Sequence, residues 1–250
     1  VGEHEEQHYF SMDYVEGRSL AQIVQESPLA AQRAAWYVKT VAEAVQYAHQ
    51  RGVLHRDLKP ANVIIDVADQ PRITDFGLAR RIEGLSELTA SGQVLGTPSY
   101  MSPEQASGNL AAVGPASDVY SLGATLYELL CGRPPFRGET AVATLKHVLE
   151  EEPVPPRRLN PAIPRDLDVI STRCLQKEPN RRYGSAQELA DDLGRFLRSE
   201  PIRARPVGPL ARLTRWSRRR PLVAALVGAL MVAILTGTAV STYFAVKAEA

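Results

Sequence analysis

Between residues 30 and 49, apolar side chains recur at Ala34, Val38, Val41, Val45 and Ala48. Spacings of four and three place them on one face of a helix, which Gly52 is expected to end. Ahead of it, residues 8–15 are rich in β-branched and aromatic types and run into Glu16-Gly17, the pattern of a strand entering a turn. Residues 62–66 and 72–74 read as two short strands on either side of a turn at 68–71. The chain then becomes helical. An apolar helix is predicted from Asp118 to Cys131, stopped by Gly132 and the Pro134-Pro135 pair, and an amphipathic one over 140–149. A proline-rich connector spans 153–164. Further helices are predicted over 167–175 and 185–197, the latter announced by a capping box at Ser185 and Glu188. Between Asp75 and Glu104 the residues are polar and without period, with Gly84, Gly92 and Gly96, and predict a mobile loop. The pattern is that of an α+β domain with no internal repeat.

Charge changes this picture at one end. The 250 residues hold 29 Lys and Arg against 28 Asp and Glu, yet seven of the arginines fall after residue 200, so the first 200 residues are net acidic. Residues 201–221 carry those arginines with Pro201, Pro206 and Pro209 and no acid, which predicts a basic linker. Residues 222–246 are uncharged and mostly apolar, long enough for a helix to cross the roughly 30 Å hydrocarbon core. A buried soluble helix is the competing reading. With the arginines before the span and Lys247 after it, the preceding domain is expected in the cytoplasm and residues 247–250 outside it. Beside a span, the arginine run fits anionic lipid headgroups, and no nucleic acid is expected. Small residues at Ala225, Ala229, Ala233, Gly237, Ser241 and Ala245 form a row that favours a helix dimer, although such residues are common in any span. Cys131 and Cys174 have neither CxxC spacing nor a histidine partner, which predicts buried thiols in a reducing compartment. Since the chain starts at Val1 with no leader before its first apolar run, it is read as part of something longer.

The chemistry is concentrated in His55-Arg56-Asp57-Leu58-Lys59-Pro60-Ala61-Asn62, followed by Asp75-Phe76-Gly77. Transfer of a phosphoryl group from ATP to a hydroxyl needs a carboxylate at the attacking oxygen and ligands that hold Mg²⁺ on the phosphates. These segments resemble the catalytic loop and metal-binding triplet of eukaryotic-type protein kinases, H-R-D-L-x-x-x-N and D-F-G. The resemblance implies that Asp57 takes the substrate proton, that Lys59 lies beside the transferring phosphate, and that Asn62 and Asp75 ligate two Mg²⁺ (or Mn²⁺) ions. His55 is expected to be a packed structural residue, with Phe76 and Gly77 completing the triplet.

Over residues 8–198 the resemblance implies more. Met12 would be the gatekeeper, the backbones of Asp13 and Val15 would bind the adenine of ATP, and Ile64 would pack beneath it. The loop becomes an activation segment in which Arg56 pairs with phosphate on Thr89 or Ser91 and Thr97 contacts Asp57. That segment closes at Ser102-Pro103-Glu104, with Ser102 standing where the family has alanine, an exchange of one small residue for another. Asp118 would anchor the catalytic-loop backbone, and Arg182 would pair with Glu104.

These features resemble the bacterial transmembrane serine/threonine kinases, in which residues 1–200 would be mostly the helical large lobe with the last strand of the small lobe and the hinge. Lys59 and Thr97 imply serine/threonine acceptors in protein substrates, and a homodimer through the kinase domain or the span is the expected self-association. The rival reading is a pseudokinase or nucleotide-binding scaffold, whose usual mark is a missing catalytic residue. Small-molecule phosphotransferases share part of the loop but are not expected to carry the Glu104 and Arg182 pair. These 250 residues contain no Gly-rich loop, no V-A-I-K lysine and no helix-C glutamate, so the isolated chain is expected to be inactive.

Overall fold

The strands are few and short, and they serve mainly to aim the segments between the helices. In a computed structural model that describes residues 2–4, 7–9, 13–76 and 98–204, β1 (Gly2–His4) and β2 (Gln7–Tyr9) pair antiparallel, Gly2 opposite Tyr9. Residues 13–15, predicted as the end of a strand, have no strand pairing, and Tyr14 is 90% exposed. Pairing resumes at β3 (Gly17–Ser19), where a turn was expected. A side chain at Gly17 would lie 2.1 Å from the Ile65 carbonyl oxygen, so only glycine lets the two backbones meet there.

β3 is one edge of an antiparallel sheet of order β3-β4-β5, with β4 (Val63–Asp66) and β5 (Pro71–Ile73). Val63 and Ile65 are buried on one face, while Ile64 points to the other. Asp66 closes the intervening turn by accepting from Ala68 N and Gln70 N, both at 2.9 Å, and from Arg72 Nε at 2.8 Å. Its carboxyl is held below the usual range by these donors, Gln70 first.

The helices form the body. Ser19 caps α1 (Leu20–Glu26), whose Gln22 reaches back to the Ser19 amide. α2 (Ala31–His49) buries Ala34, Val38, Val41 and Val45 as the periodicity predicts. Gly52, with φ of +75°, turns the chain after it. Beyond α3 (Pro103–Ala106), α4 runs from Pro115 to Cys131, three residues earlier than its apolar pattern shows, because a proline at the first helical position needs no hydrogen-bonded N–H. α4 is buried around most of its circumference, the mark of a central helix, and ends at Gly132 in the left-handed region. α5 (Ala141–Glu150) is capped by Thr140, and the proline-rich connector contains one helical turn, α6 (Pro156–Leu159). α7 (Arg165–Cys174) and α8 (Ala186–Leu197) complete the lobe.

Ser185 caps α8 by accepting from Glu188 N at 3.2 Å, but Glu188 accepts from Gly184 N at 2.9 Å instead of Ser185 N, so the predicted box is closed one residue upstream. The main core lies among α1, α2, α4, α7 and α8, and a smaller one joins Tyr120, Ala124, Tyr127, Phe136, Val148 and Leu175. Each fully buried leucine of α4 contributes about 1.5–3 kcal/mol relative to exposure. Cys174 is buried and Cys131 only half-buried, both as free thiols. Burial pushes the Cys131 thiol up to about 11, which suits an unreactive side chain.

The linker expected from residue 201 starts later. Asp192, itself buried, accepts from Arg203 N at 2.7 Å, Ala204 N at 2.8 Å and Tyr183 Oη at 2.9 Å, and Ile202 and Ala204 join the core. One compact unit therefore reaches Arg205. The expected span at 222–246 lies outside the described residues. Among the described residues no helix is long and apolar enough to cross a membrane.

Candidate active site

Asn62 and Asp75 are brought to one end of the β4-β5 hairpin by the ladder itself. Val63 pairs with Ile73, and Thr74 donates its N–H to the Asn62 carbonyl at 3.0 Å, so Asp75 follows immediately beside Asn62. Leading into β4, a 3₁₀ turn (Pro60–Asn62) carries the loop past Lys59. There Asn62 Nδ2 donates to the Asp57 carbonyl at 2.8 Å and to Asp57 Oδ2 at 3.0 Å, and Lys59 Nζ donates to the same Oδ2 at 2.7 Å. One carboxylate oxygen of Asp57 is thus held by two donors, while Oδ1 has no hydrogen bond among the described residues. The Asp57 side chain is 40% exposed. It is a partly exposed acceptor, fixed on its Oδ2 side.

Asp118, buried on α4, receives the His55 N–H at 2.9 Å and the Arg56 N–H at 2.8 Å. His49 Nε2 lies 2.7 Å from the same carboxylate. His55 is fully buried; its Nε2 meets the Thr74 carbonyl at 3.0 Å, and its ring stands 4.7 Å from that of Phe76. Nε2 therefore carries the proton, and Nδ1 accepts the Asp57 N–H at 3.4 Å. This histidine ties the catalytic loop to the Asp75 strand and makes no contact with solvent, as a structural residue would. Arg56 and Asp75 both adopt left-handed backbones, φ of 67° and 60°. Such strain in non-glycine residues persists only where surroundings over-determine it.

The stretch after the loop is seated on α4. Tyr100 donates its hydroxyl to Glu128, and Ser121 Oγ donates to the Tyr100 carbonyl at 2.9 Å. Arg182 grips Glu104 through both terminal nitrogens, at 2.7 and 2.8 Å, and also donates to the carbonyls of Ala116, Gln176 and Lys177. Burial alone would raise the Glu104 carboxyl, but the bonds from Arg182 and Ser117 more than offset it and hold the group below the usual range.

Asp57, Lys59, Asn62, Asp75, His55, Phe76 and Asp118 thus converge, with Glu104 and Arg182 bracing the segment behind them. Asp13 is exposed and Val15 half-buried, and Ile64 is half-buried on the β4 face opposite the core. Met12, Gly77, Thr89, Ser91 and Thr97 lie outside the described residues. A metal of the Mg²⁺ type takes one or two carboxylates and completes its shell with phosphate oxygens and water. The residues fit it: Asp75 has no hydrogen-bond partner among the described residues, and Asn62, its Nδ2 turned to Asp57, leaves Oδ1 as an oxygen donor. Sequence reasoning missed Gln105, which donates from Nε2 to the Arg56 carbonyl at 2.8 Å, and His49 behind Asp118. For Gln105 a signal existed, since Ser102-x-x-Gln105 is a capping-box spacing; for His49 there was none beyond its place in a helix.

Comparison with known proteins agrees with this geometry. The protein kinase domain family matches residues 1–193. The serine/threonine-protein kinase PknB of Mycobacterium leprae is 40% identical over 197 residues, covering 78% of this chain and 31% of the relative. That of Mycolicibacterium smegmatis is 41% identical over 187 residues, 74% of this chain and 30% of the relative. The serine/threonine-protein kinase PrkC of Bacillus subtilis is 39% identical over 195 residues, 77% of this chain and 30% of the relative. The chain belongs to the protein kinase domain family. It spans about a third of the length of these curated relatives.

Proposed function

We propose that the protein from which this chain comes is a serine/threonine protein kinase, transferring the γ-phosphate of ATP to hydroxyls of protein substrates. The observation that carries the reading is the asymmetric Asp57 carboxylate, with Oδ2 held by Lys59 and Asn62 and Oδ1 without a hydrogen bond among the described residues. Asp57 Oδ1 accepts the proton of the attacking serine or threonine hydroxyl. Lys59, beside it, contributes positive charge where phosphate charge accumulates, and Asn62 fixes the carboxylate while offering Oδ1 to metal. A Mg²⁺ or Mn²⁺ bound by Asn62 and Asp75 supplies neutralisation of the phosphate oxygens. Asp13 and Val15 present backbone groups to the adenine, with Met12 and Ile64 flanking it.

The rest of the reading concerns placement and control. Residues 222–246 form a membrane span, the arginines before it meet anionic lipids, and pairing of spans or kinase domains brings Thr89 or Ser91 of one copy to the site of another. Support for this comes from the uncharged length of the segment and its polybasic flank. Without a Gly-rich loop and its lysine the 250 residues alone are inactive. Full-length protein incubated with radiolabelled ATP, Mg²⁺ and a generic basic protein should label serine and threonine in acid hydrolysates. Label confined to tyrosine would overturn the specificity, and nucleotide binding without any transfer would favour the scaffold reading.

A further inference from the structure

Arg56 is the residue whose conformation aims Asp57, and it is left-handed, a state that L-residues leave when nothing holds them. Its N–H is fixed by Asp118, but the peptide plane that joins it to Asp57 has another guard. Gln105 Nε2 donates to the Arg56 carbonyl at 2.8 Å, across 49 residues of chain. Gln105 is itself buried and cannot swing, because its Oε1 accepts from Ser102 N at 3.1 Å and from Ser102 Oγ at 3.0 Å. Ser102 Oγ also caps α3 by accepting Gln105 N at 3.4 Å. An alanine at 102 could offer Gln105 the backbone N–H alone, so Ser102 is more than one small residue in place of another.

We propose that Gln105, oriented by Ser102, is a positioning residue for phosphoryl transfer: it pins the Arg56-Asp57 peptide and so couples the seating of residues 98–106 to the aim of Asp57. This rests on the kinase reading of Asp57. Among the described residues the only other hydrogen bond to that peptide plane is the one from the Asp57 N–H to His55 Nδ1 at 3.4 Å, too long to hold it alone. With Gln105 withdrawn, the plane can rotate and let Arg56 relax, shifting the Asp57 carboxylate against the bonds it takes from Lys59 and Asn62 while leaving the adenine side in place. The effect therefore belongs to kcat.

In full-length protein, Gln105→Met keeps the side chain's length and removes the donor. It should lower kcat about tenfold, within the range that small misplacements of reacting groups cost, and leave KM for ATP within about twofold. Ser102→Ala should lower kcat in the same direction by less, and the double variant should be no slower than Gln105→Met, since both remove one linkage. If Gln105→Met does not fold, Gln105→Glu retains the shape and turns an acceptor toward the Arg56 carbonyl, and should lose more turnover still. An unchanged kcat in a folded variant, a parallel change in KM, or losses that multiply in the double variant would each overturn the proposal. Asp57→Asn measured alongside separates the two readings: if it keeps turnover the kinase assignment of the site fails, and if it alone abolishes turnover only the role of Gln105 fails.

Discussion

Glu104 is a carboxylate that burial opposes and hydrogen bonding rescues. Removing its partner should be costly, because an unpaired charge would remain inside: Arg182→Met is expected to destabilise the lobe by about 3–5 kcal/mol. The pH dependence has a definite sign. Since the folded-state pKa lies below the ordinary value near 4.3, the pair stabilises the fold above that pH and its contribution fades as pH falls through the folded pKa. Wild type and Glu104→Gln should therefore differ in urea stability at pH 7, with the gap shrinking as pH falls below about 4.3; a gap that stays constant down to pH 3 would contradict this. At this scale much of the site was legible. The resemblance to protein kinases named Asp57, Asn62, Asp75, Asp118, Glu104 and Arg182, and of these the structure shows the Asp118 anchor and the Glu104-Arg182 pair. Gln105 and His49 did not stand out, because they act by donating to a carbonyl or backing a carboxylate, jobs that many residues perform.

Helices with a strong period and the β4-β5 hairpin were readable, whereas β3, held by its partner, was not. The apolar rows of α2, α4, α5, α7 and α8 appear where burial selects them. β3 is Gly-Arg-Ser, with no strand propensity of its own, and exists because β4 supplies its ladder. Residues 13–15 erred the other way, since among the described residues no strand pairs with the aromatic and β-branched types there. α1 lacked a row long enough to detect, though its Ser19-x-x-Gln22 box was visible in retrospect. Close helix packing gives a test. Gly123 on α4 faces α7 so tightly that a Cβ would sit 2.2 Å from Cys174 Cβ, and helix backbones cannot slide apart locally. Gly123→Ala is expected to cost about 1–3 kcal/mol and to lower Tm by at least about 2 °C. An unchanged melting curve would show that the two helices are not in such contact.

Across the whole molecule, the acidic lobe and the basic C-terminal stretch are separate in composition, and the compact unit ends only after Asp192 has taken up the backbone of Arg203 and Ala204. A composition shift marks where residues change character, not where packing stops, which is why the boundary was read several residues early. Within the lobe, α4 and the β4-β5 hairpin approach the catalytic loop from two sides, so a base and a metal-binding pair meet without any of them lying on the same element. The most direct measurement is phosphoryl transfer by full-length protein carrying Asp57→Asn or Asp75→Asn, with ATP binding followed separately. Each variant should lose at least ~100-fold in turnover, and ATP affinity should survive Asp57→Asn better than Asp75→Asn; wild-type transfer rates in either variant would contradict the assignment of base and metal ligand.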